Sequence, residues 1–224
     1  MISSIKVSIN IRTVKIFNKL LLVGGLNKTL NIINFTKPKN PKLIKTIPTI
    51  FQCEGLNNCF DIQKSTSKIY GFNQKNLVKM LDLKNNYKIK QYPAHNFIQS
   101  YIFKILDIKK SLMICSLKNI IEISLNYMTV TRTKKLNTNG AILMETSKNE
   151  DYLFITGNNK LFYVISYKNL DIINIFQTDT RFISLSYPQE SKFIYGNIGN
   201  SPIIYYGNPE KFIKGFKTKL YVNL

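Results

Sequence analysis

The fold is decided by a stretch that begins at Lys19 and reads KLLLVGGLNKTLNIINF, residues 19–35. It is a run of strand-forming residues with small residues and Asn in its middle. This repeat, called a phrase below, occurs again from Lys68, Ser111, Tyr152 and Phe193. The spacings are 49, 43, 41 and 41 residues. A repeat near 40 residues in a β-rich chain is typical of β-propeller blades, each a four-stranded sheet that needs neighbours to bury both faces.

Each phrase predicts two strands joined by a tight turn, because Gly and Asn tolerate the positive φ that hairpin turns require. The predicted turns lie at residues 25–28, 73–76, 117–119, 157–160 and 199–201. A strand that leads into each phrase is expected at Ile5–Ile11, Phe51–Ile62, Phe97–Lys104, Gly140–Thr146 and Phe182–Tyr187. A fourth strand is expected at Leu43–Ile47, Tyr87–Tyr92, Met128–Leu136, Leu170–Phe176 and Phe212–Lys217.

The sequence therefore predicts an all-β chain, a β-propeller with about five four-stranded blades. With 224 residues and 44% apolar content, it is expected to be a single domain over residues 1–224 with a substantial core. The expected blades are residues 1–48, 49–93, 94–136, 137–178 and 179–219. Residues 220–224 (LYVNL) are expected either to close the ring or to begin another blade.

Several site classes are not expected from the composition. No stretch approaches the roughly 20 apolar residues of a membrane-spanning helix, and the first residues lack the pattern of a secretory signal. Cys53, Cys59 and Cys115 form no CxxC pair, which is typical of reduced, buried thiols in the cytosol or nucleus. His95 is the single histidine and the acidic residues are dispersed, so we expect no metal site, cofactor or catalytic residue.

The formal charge of +20 admits two explanations. A strongly basic chain favours contact with nucleic acid or another polyanion. However, 29 of the 32 basic residues are Lys, and Ile and Asn are also abundant, a bias that an AT-rich genome imposes on any protein.

Two basic clusters near aromatic residues are candidates for binding nucleic acid by phosphate pairing and base stacking. They contain Arg132, Lys134 and Lys135 in the third blade, and Lys214 and Lys219 at the end of the fifth. Alternation on an exposed outer strand gives the same pattern without any ligand.

The repeat resembles that of the WD-repeat family. GGLNKTLNIINF (residues 24–35) is similar to the family pattern GGxDKTLxIWDL, with Ile33 and Asn34 where Trp-Asp would stand. The second repeat keeps the Asp of that dipeptide as Asp82, and Leu81 replaces its Trp. The resemblance implies a propeller of WD-repeat type whose tryptophan anchors are replaced by aliphatic residues.

Within that family, three stretches resemble the messenger-RNA export propeller of the nuclear pore and its relative, the mitotic checkpoint propeller. They are residues 78–96, 136–166 and 196–217. The resemblance implies binding of an acidic GLEBS-type peptide near Ser201, Phe216 and Lys217. The family has Arg where this chain has Ser201, and of its FKCHR motif only Phe216 and Lys217 remain.

These observations predict a non-enzymatic scaffold in the nucleus or cytoplasm that docks peptide motifs of partner proteins. The resemblance places it at the nuclear pore in messenger-RNA export, with a GLEBS-bearing nucleoporin as partner, or in the checkpoint with a kinase. The sequence also leaves open an RNA-binding or ribosome-biogenesis propeller, and a phosphoinositide-binding one. For the last, TRTKK (residues 131–135) lacks the paired Arg and the Gly of an FRRG loop.

Overall fold

The computed structural model describes residues 10–48, 50–51, 60–72, 77–93, 100–116, 118–136, 138, 140–177, 182–187, 194–198, 204–207 and 210. Within this part of the chain, β-strands form five antiparallel sheets, and the strands of each sheet are neighbours in chain order. The chain divides into two compact units, residues 1–98 and 99–224. That residues 1–224 form a single domain stays a prediction.

The described residues of the first unit form two four-stranded sheets. The first sheet is β1 (Ile11–Phe17), β2 (Leu20–Gly25), β3 (Leu30–Asn34) and β4 (Lys42–Ile47). The second is β5 (Phe60–Gln63), β6 (Lys68–Phe72), β7 (Val78–Asp82) and β8 (Lys88–Tyr92). One apolar core joins these sheets: Leu22 and Ile32 of the first share it with Phe60, Ile69 and Leu81 of the second, all fully buried.

The second unit contains two four-stranded sheets and one three-stranded sheet among its described residues. One is β9 (Ser100–Leu106), β10 (Ser111–Ser116), β11 (Asn119–Ser124) and β12 (Val130–Lys135). The next is β13 (Ala141–Thr146), β14 (Tyr152–Gly157), β15 (Leu161–Ser166) and β16 (Ile172–Gln177). The last is β17 (Phe182–Ser186), β18 (Ile194–Ile198) and β19 (Ile204–Gly207).

The sheet of β13–β16 is buried on both faces. Successive side chains of a strand point to opposite faces. In β14, Leu153 and Ile155 pack with the preceding sheet, whereas Phe154 packs in a second cluster with Phe182 and Ile194 of the following sheet. This two-sided burial explains why the central strands are almost continuously apolar instead of alternating.

Each four-stranded sheet ends in an exposed outer strand. The burial patterns of β4, β8, β12 and β16 are mostly exposed, in contrast to the buried second and third strands. Lys or Arg residues occur in β4, β8 and β12, and such charges on an edge strand oppose pairing with another chain.

Two of the predicted turns have their positive φ angles at residues other than the expected Gly or Asn. These angles occur at Lys28 (64°) and Lys160 (60°). In each turn the preceding Asn side chain accepts a backbone N–H two residues on: Asn27 from Thr29 (3.3 Å), and Asn159 from Leu161 (3.2 Å). This Asx contact holds the following residue in the left-handed region.

Gly157 begins the second of these turns and has no room for a side chain. A Cβ atom there would lie 2.5 Å from the carbonyl oxygen of Thr138 and 2.5 Å from the side-chain oxygen of Asn159. We expect Gly157→Ala to lower the free energy of unfolding by about 1–3 kcal/mol, because backbone must move to relieve the contact. Urea unfolding followed by circular dichroism measures the change, with the exposed turn variant Lys118→Ala as control. An effect no larger than the control's would contradict this account.

The structure corrects the position of one leading strand and the number of complete blades. The strand that leads into β2 is β1 at Ile11–Phe17, since Asn18 adopts a positive φ (54°) and turns the chain directly into β2, whereas residues 5–9 of the strand expected at Ile5–Ile11 lie outside the described residues. The strands expected at Phe51–Ile62 and Phe97–Lys104 are described as β5 from Phe60 and β9 from Ser100, and their predicted residues 52–59 and 97–99 lie outside the described residues. Four sheets have the predicted four strands and the fifth has three among the described residues, so four complete blades are described and not the predicted five. The fourth strand expected at Phe212–Lys217, and residues 220–224, lie outside the described residues.

Candidate functional site

A groove lies at the ends of the strands of two neighbouring sheets of the second unit. Because successive strands are antiparallel, the first and third turns of a sheet lie at the same end of its strands. In β9–β12 these are residues 107–110 and 125–129, and in β13–β16 they are residues 147–151 and 167–171. The groove has a volume of about 890 Å³. Residues from all four turns and from the adjoining strand ends line it: Lys109, Lys110, Ser111, Glu122, Ser124, Asn126, Thr131, Arg132, Asp151, Tyr152, Ser166, Tyr167 and Lys168.

The floor of the groove is built on the buried carboxylate of Glu122, which is 5% exposed. Its Oε1 atom accepts hydrogen bonds from the hydroxyls of Ser111 (2.6 Å) and Tyr167. Its Oε2 atom accepts from the Thr131 hydroxyl (2.9 Å) and from Nε of Arg132 (2.6 Å). Four donors therefore satisfy a charge that would otherwise be costly to bury. These five residues are called the Glu122 cluster.

A β-bulge allows two successive residues to reach the same carboxylate. Neighbouring strand residues normally point to opposite faces. In the pairing of β11 with β12, Glu122 lies opposite Arg132 and Ile123 lies opposite Val130, which leaves Thr131 as an extra residue. The bulge re-aims the side chains, so that both Thr131 and Arg132 bond to Glu122.

Arg132 also joins this sheet to the next. Its Nη1 donates to the carbonyl oxygens of Tyr167 (2.8 Å) and Lys168 (2.7 Å), which follow β15. Its guanidinium carbon lies 4.6 Å from the centroid of the Tyr167 ring, a cation–π distance. A planar, multi-donor guanidinium suits this role in a way that a lysine ammonium does not.

Further polar contacts fix the turns that line the groove. The carboxylate of Glu150 accepts the backbone N–H groups of Asp107 (2.7 Å) and Lys109 (3.0 Å) on the neighbouring sheet. Lys109 pairs with Asp151 at 2.8 Å, and Lys134 of β12 pairs with Asp171. The turns that form the walls of the groove are therefore held to each other as well as to their own sheets.

The environment shifts the pKa values of several groups at the site, among them two carboxyl groups and one phenol. Burial opposes ionisation of Glu122, but hydrogen bonds from Arg132, Ser111, Tyr167 and Thr131 outweigh it and lower its pKa to about 2. Burial, together with the hydrogen bond to Glu122, raises the pKa of Tyr167. Burial raises the pKa of Glu150 although backbone N–H groups oppose the shift. At neutral pH Glu122 is ionised and Tyr167 keeps its proton.

The low pKa of Glu122 predicts a loss of stability in acid. A carboxylate with a pKa lowered from 4.5 to about 2 on folding stabilises the fold fully above pH 4.5, and this contribution disappears as the pH falls to about 2. The raised pKa of Glu150 contributes in the opposite direction, since that stabilisation is present at low pH and is lost as the pH rises. We expect the free energy of unfolding of the unmodified chain and of Glu122→Gln to converge between pH 4.5 and pH 2. Urea titrations across this range measure it, and a difference that stays constant would contradict the assignment.

The Glu122 cluster is suited to hold the floor of the groove in place and is poorly suited to transfer protons. Every donor in the cluster is already directed at the carboxylate, and the low pKa makes Glu122 a weak base. Lys110 and Lys168 lie exposed on the groove walls. The arrangement offers a polar groove with a cationic rim and a fixed floor.

The structure places the predicted basic residues in different settings. Arg132 belongs to the Glu122 cluster and Lys134 pairs with Asp171, whereas Lys135 is exposed at the end of β12. The other candidates lie outside the described residues: Ser201, Lys214, Phe216, Lys217 and Lys219.

Of the predicted thiols, Cys115 is free and buried, and burial raises its pKa to about 12. Cys53, Cys59 and His95 lie outside the described residues. Among the residues that are described, no three His, Cys, Asp or Glu side chains group together in a way that could hold a metal ion. In the same part of the chain, no helix has the length and apolarity needed to cross a bilayer.

Most of the site, including Glu122 and Tyr167 of its floor, was not predicted from the sequence. One signal was present, because Glu122 interrupts the apolar run NIIEISL in a strand expected to be buried. A buried charge in such a run requires a partner. Tyr167 has no comparable signal, since it follows β15 in a turn and meets Glu122 from 45 residues away.

Comparison with solved structures gives a likeness to the β-propeller domain of Cps50 (Swd1) from Myceliophteria thermophila, with a TM-score of 0.71 at 8% sequence identity. The match covers 95% of this chain and 72% of that chain. The chain has a β-propeller fold. The predicted all-β class and propeller fold are confirmed, and each four-stranded sheet is a blade.

The propeller matches no protein-family model and no curated protein. The likeness to Swd1 therefore supports the fold and not the export or checkpoint assignment, which rests on the sequence resemblance alone. The groove lies between the blade of β9–β12, the third in chain order, and the blade of β13–β16, the fourth.

Proposed function

We propose that this β-propeller is a non-enzymatic scaffold for protein partners, and that it holds a peptide segment of a partner in the groove between its third and fourth blades. The observation that carries the proposal is the groove with its floor fixed by the Glu122 cluster. Propellers suit docking because their turns present side chains on a rigid base.

The dimensions and composition of the groove support this role. Its volume of about 890 Å³ falls within the range of about 300–1,000 Å³ of pockets that enclose ligands. Four separate turns contribute to its walls: three of them carry hydroxyl, amide or ammonium groups, and the fourth carries the Asp151 carboxylate. Because the Glu122 cluster and the Glu150 contacts fix these turns, a segment that binds there loses little affinity to ordering of the protein.

RNA contact at the predicted basic cluster is less well supported. Arg132 donates to Glu122 and to two carbonyl oxygens, and Lys134 pairs with Asp171. Two of the three cations are thus already committed, which weakens their attraction for phosphate. Docking of a GLEBS-type nucleoporin or a checkpoint kinase in the nucleus stays a prediction from the resemblance.

A peptide-display selection against the full chain tests the proposal. Asn126→Trp places a large ring on the groove wall, and Asn85→Trp makes the same change in the matching exposed turn of the second blade. We expect selected peptides to bind the unmodified chain and Asn85→Trp equally, and to bind Asn126→Trp at least about tenfold more weakly. Selected peptides that bind both Trp variants equally, or a selection that yields no binder, would overturn the proposal.

A further inference from the structure

We propose that the peptide segment that docks in the groove is acidic, with carboxylate side chains that pair with Lys110 and Lys168. This inference rests on the proposed function and adds the chemistry of the partner. It is carried by the distribution of charges around the groove.

The charged residues of the lining leave a net positive rim. Four basic and two acidic side chains line the groove. Glu122 is paired with Arg132 at 2.6 Å, and Asp151 is paired with Lys109 at 2.8 Å. The ammonium groups of Lys110 and Lys168, both on exposed residues, are the lining charges that no described carboxylate neutralises.

The rest of the lining offers further donors. Ser124, Asn126, Tyr152 and Ser166 present hydroxyl and amide groups on the same walls. Carboxylates accept hydrogen bonds without donating any, and charged acceptors form the stronger bonds. The formal charge of +20 over the whole chain adds long-range attraction for an acidic segment and speeds its approach.

Two groups of the lining that could hold nucleic acid are already engaged within the protein. Single-stranded RNA is held by aromatic rings on which its bases stack. The Tyr167 ring already has the Arg132 guanidinium at 4.6 Å and the Lys109 ammonium at 5.4 Å from its centroid. Arg132, the groove's one guanidinium, is directed at Glu122 and two carbonyl oxygens. An acidic peptide needs neither group.

Fluorescence anisotropy with the full chain tests the inference. The probes are a labelled peptide rich in Glu, an otherwise identical peptide with Gln in place of Glu, and an oligouridine RNA. The groove variants are Lys168→Glu and the double variant Lys110→Glu/Lys168→Glu. The matched control is Lys37→Glu/Lys39→Glu, which makes the same change of charge on an exposed loop of the first unit.

We expect the Glu-rich peptide to bind at least about tenfold more tightly than the Gln peptide, and the double groove variant to lose at least about tenfold in affinity. Lys168→Glu should lose part of this affinity for the Glu-rich peptide, and the control variant should lose less than about twofold. An equal loss in the control would show general attraction to a basic chain and overturn the inference. Tighter RNA binding that the groove variants abolish would overturn it in favour of nucleic acid. If the Gln peptide binds equally well and Asn126→Trp still blocks it, the docking proposal stands and the acidic partner is wrong.

Discussion

Replacing Glu122 with Gln is expected to lower the free energy of unfolding by about 2–4 kcal/mol. Removing one partner of a buried ion pair leaves the other charge uncompensated, at a typical cost of about 3–5 kcal/mol. The Arg132 side chain is 31% exposed, so water replaces part of the lost interaction and the lower range applies. The Gln side chain replaces one carboxylate oxygen with an NH₂ group, which cannot accept the hydrogen bonds that Ser111, Thr131 and the other donors make. Donors of the cluster are therefore left without an acceptor.

Urea unfolding of the full chain at neutral pH measures this loss, with Asp151→Asn as the matched control. The Asp151 side chain is 49% exposed and its pair with Lys109 lies at the surface, so we expect less than about 1 kcal/mol there. A double-mutant cycle with Arg132→Gln adds a second test. If the two residues act as one unit, the double variant is less destabilised than the sum of the single variants. Equal effects of Glu122→Gln and Asp151→Asn would contradict the account of the groove floor.

Replacing Phe154 with Ala is expected to cost about 3–5 kcal/mol, because it removes a large, fully buried ring. The centroid of the Phe154 ring lies 6.1 Å from that of Phe162 and 6.3 Å from that of Tyr187, which it meets edge-on. It belongs to the cluster that also contains Phe182 and Ile194. The substitution therefore weakens the packing of the fourth blade against the sheet of β17–β19.

Thermal or urea unfolding measures the effect, and Tyr127→Ala provides the control. Tyr127 is 79% exposed, so loss of its ring should change the free energy of unfolding by less than about 0.5 kcal/mol. A Phe154→Ala variant as stable as Tyr127→Ala would contradict the two-sided burial of the fourth blade.

The repeat pattern predicted the centre of each blade well. The phrases that begin at Lys68, Ser111 and Tyr152 start at the first residues of β6, β10 and β14. These strands are buried over most of their length, so the apolar pattern that selects them is strong. Of the leading strands, β13 and β17 were placed to within one residue, whereas the first one lies at Ile11–Phe17, because its bounds depend on pairing with the next strand and on where the turn falls.

The groove could be predicted only in part. The basic residues Arg132 and Lys134 are visible as charges on an expected outer strand, but their partners are not. Glu122 lies 10 residues from Arg132, and Asp171 lies 37 residues from Lys134. The bulge at Thr131, which brings two successive side chains to one carboxylate, is a property of strand pairing and leaves no pattern in the sequence.

The central claim, that a peptide segment docks between the third and fourth blades, is tested most directly by amide hydrogen exchange. Exchange of the full chain is measured by mass spectrometry, alone and saturated with a peptide from the display selection. The account predicts added protection at residues 109–111, 124–126 and 166–168, which line the groove, and no change at residues 83–87, the matching turn of the second blade. Protection confined to other parts of the chain, with these groove residues unchanged, would contradict it.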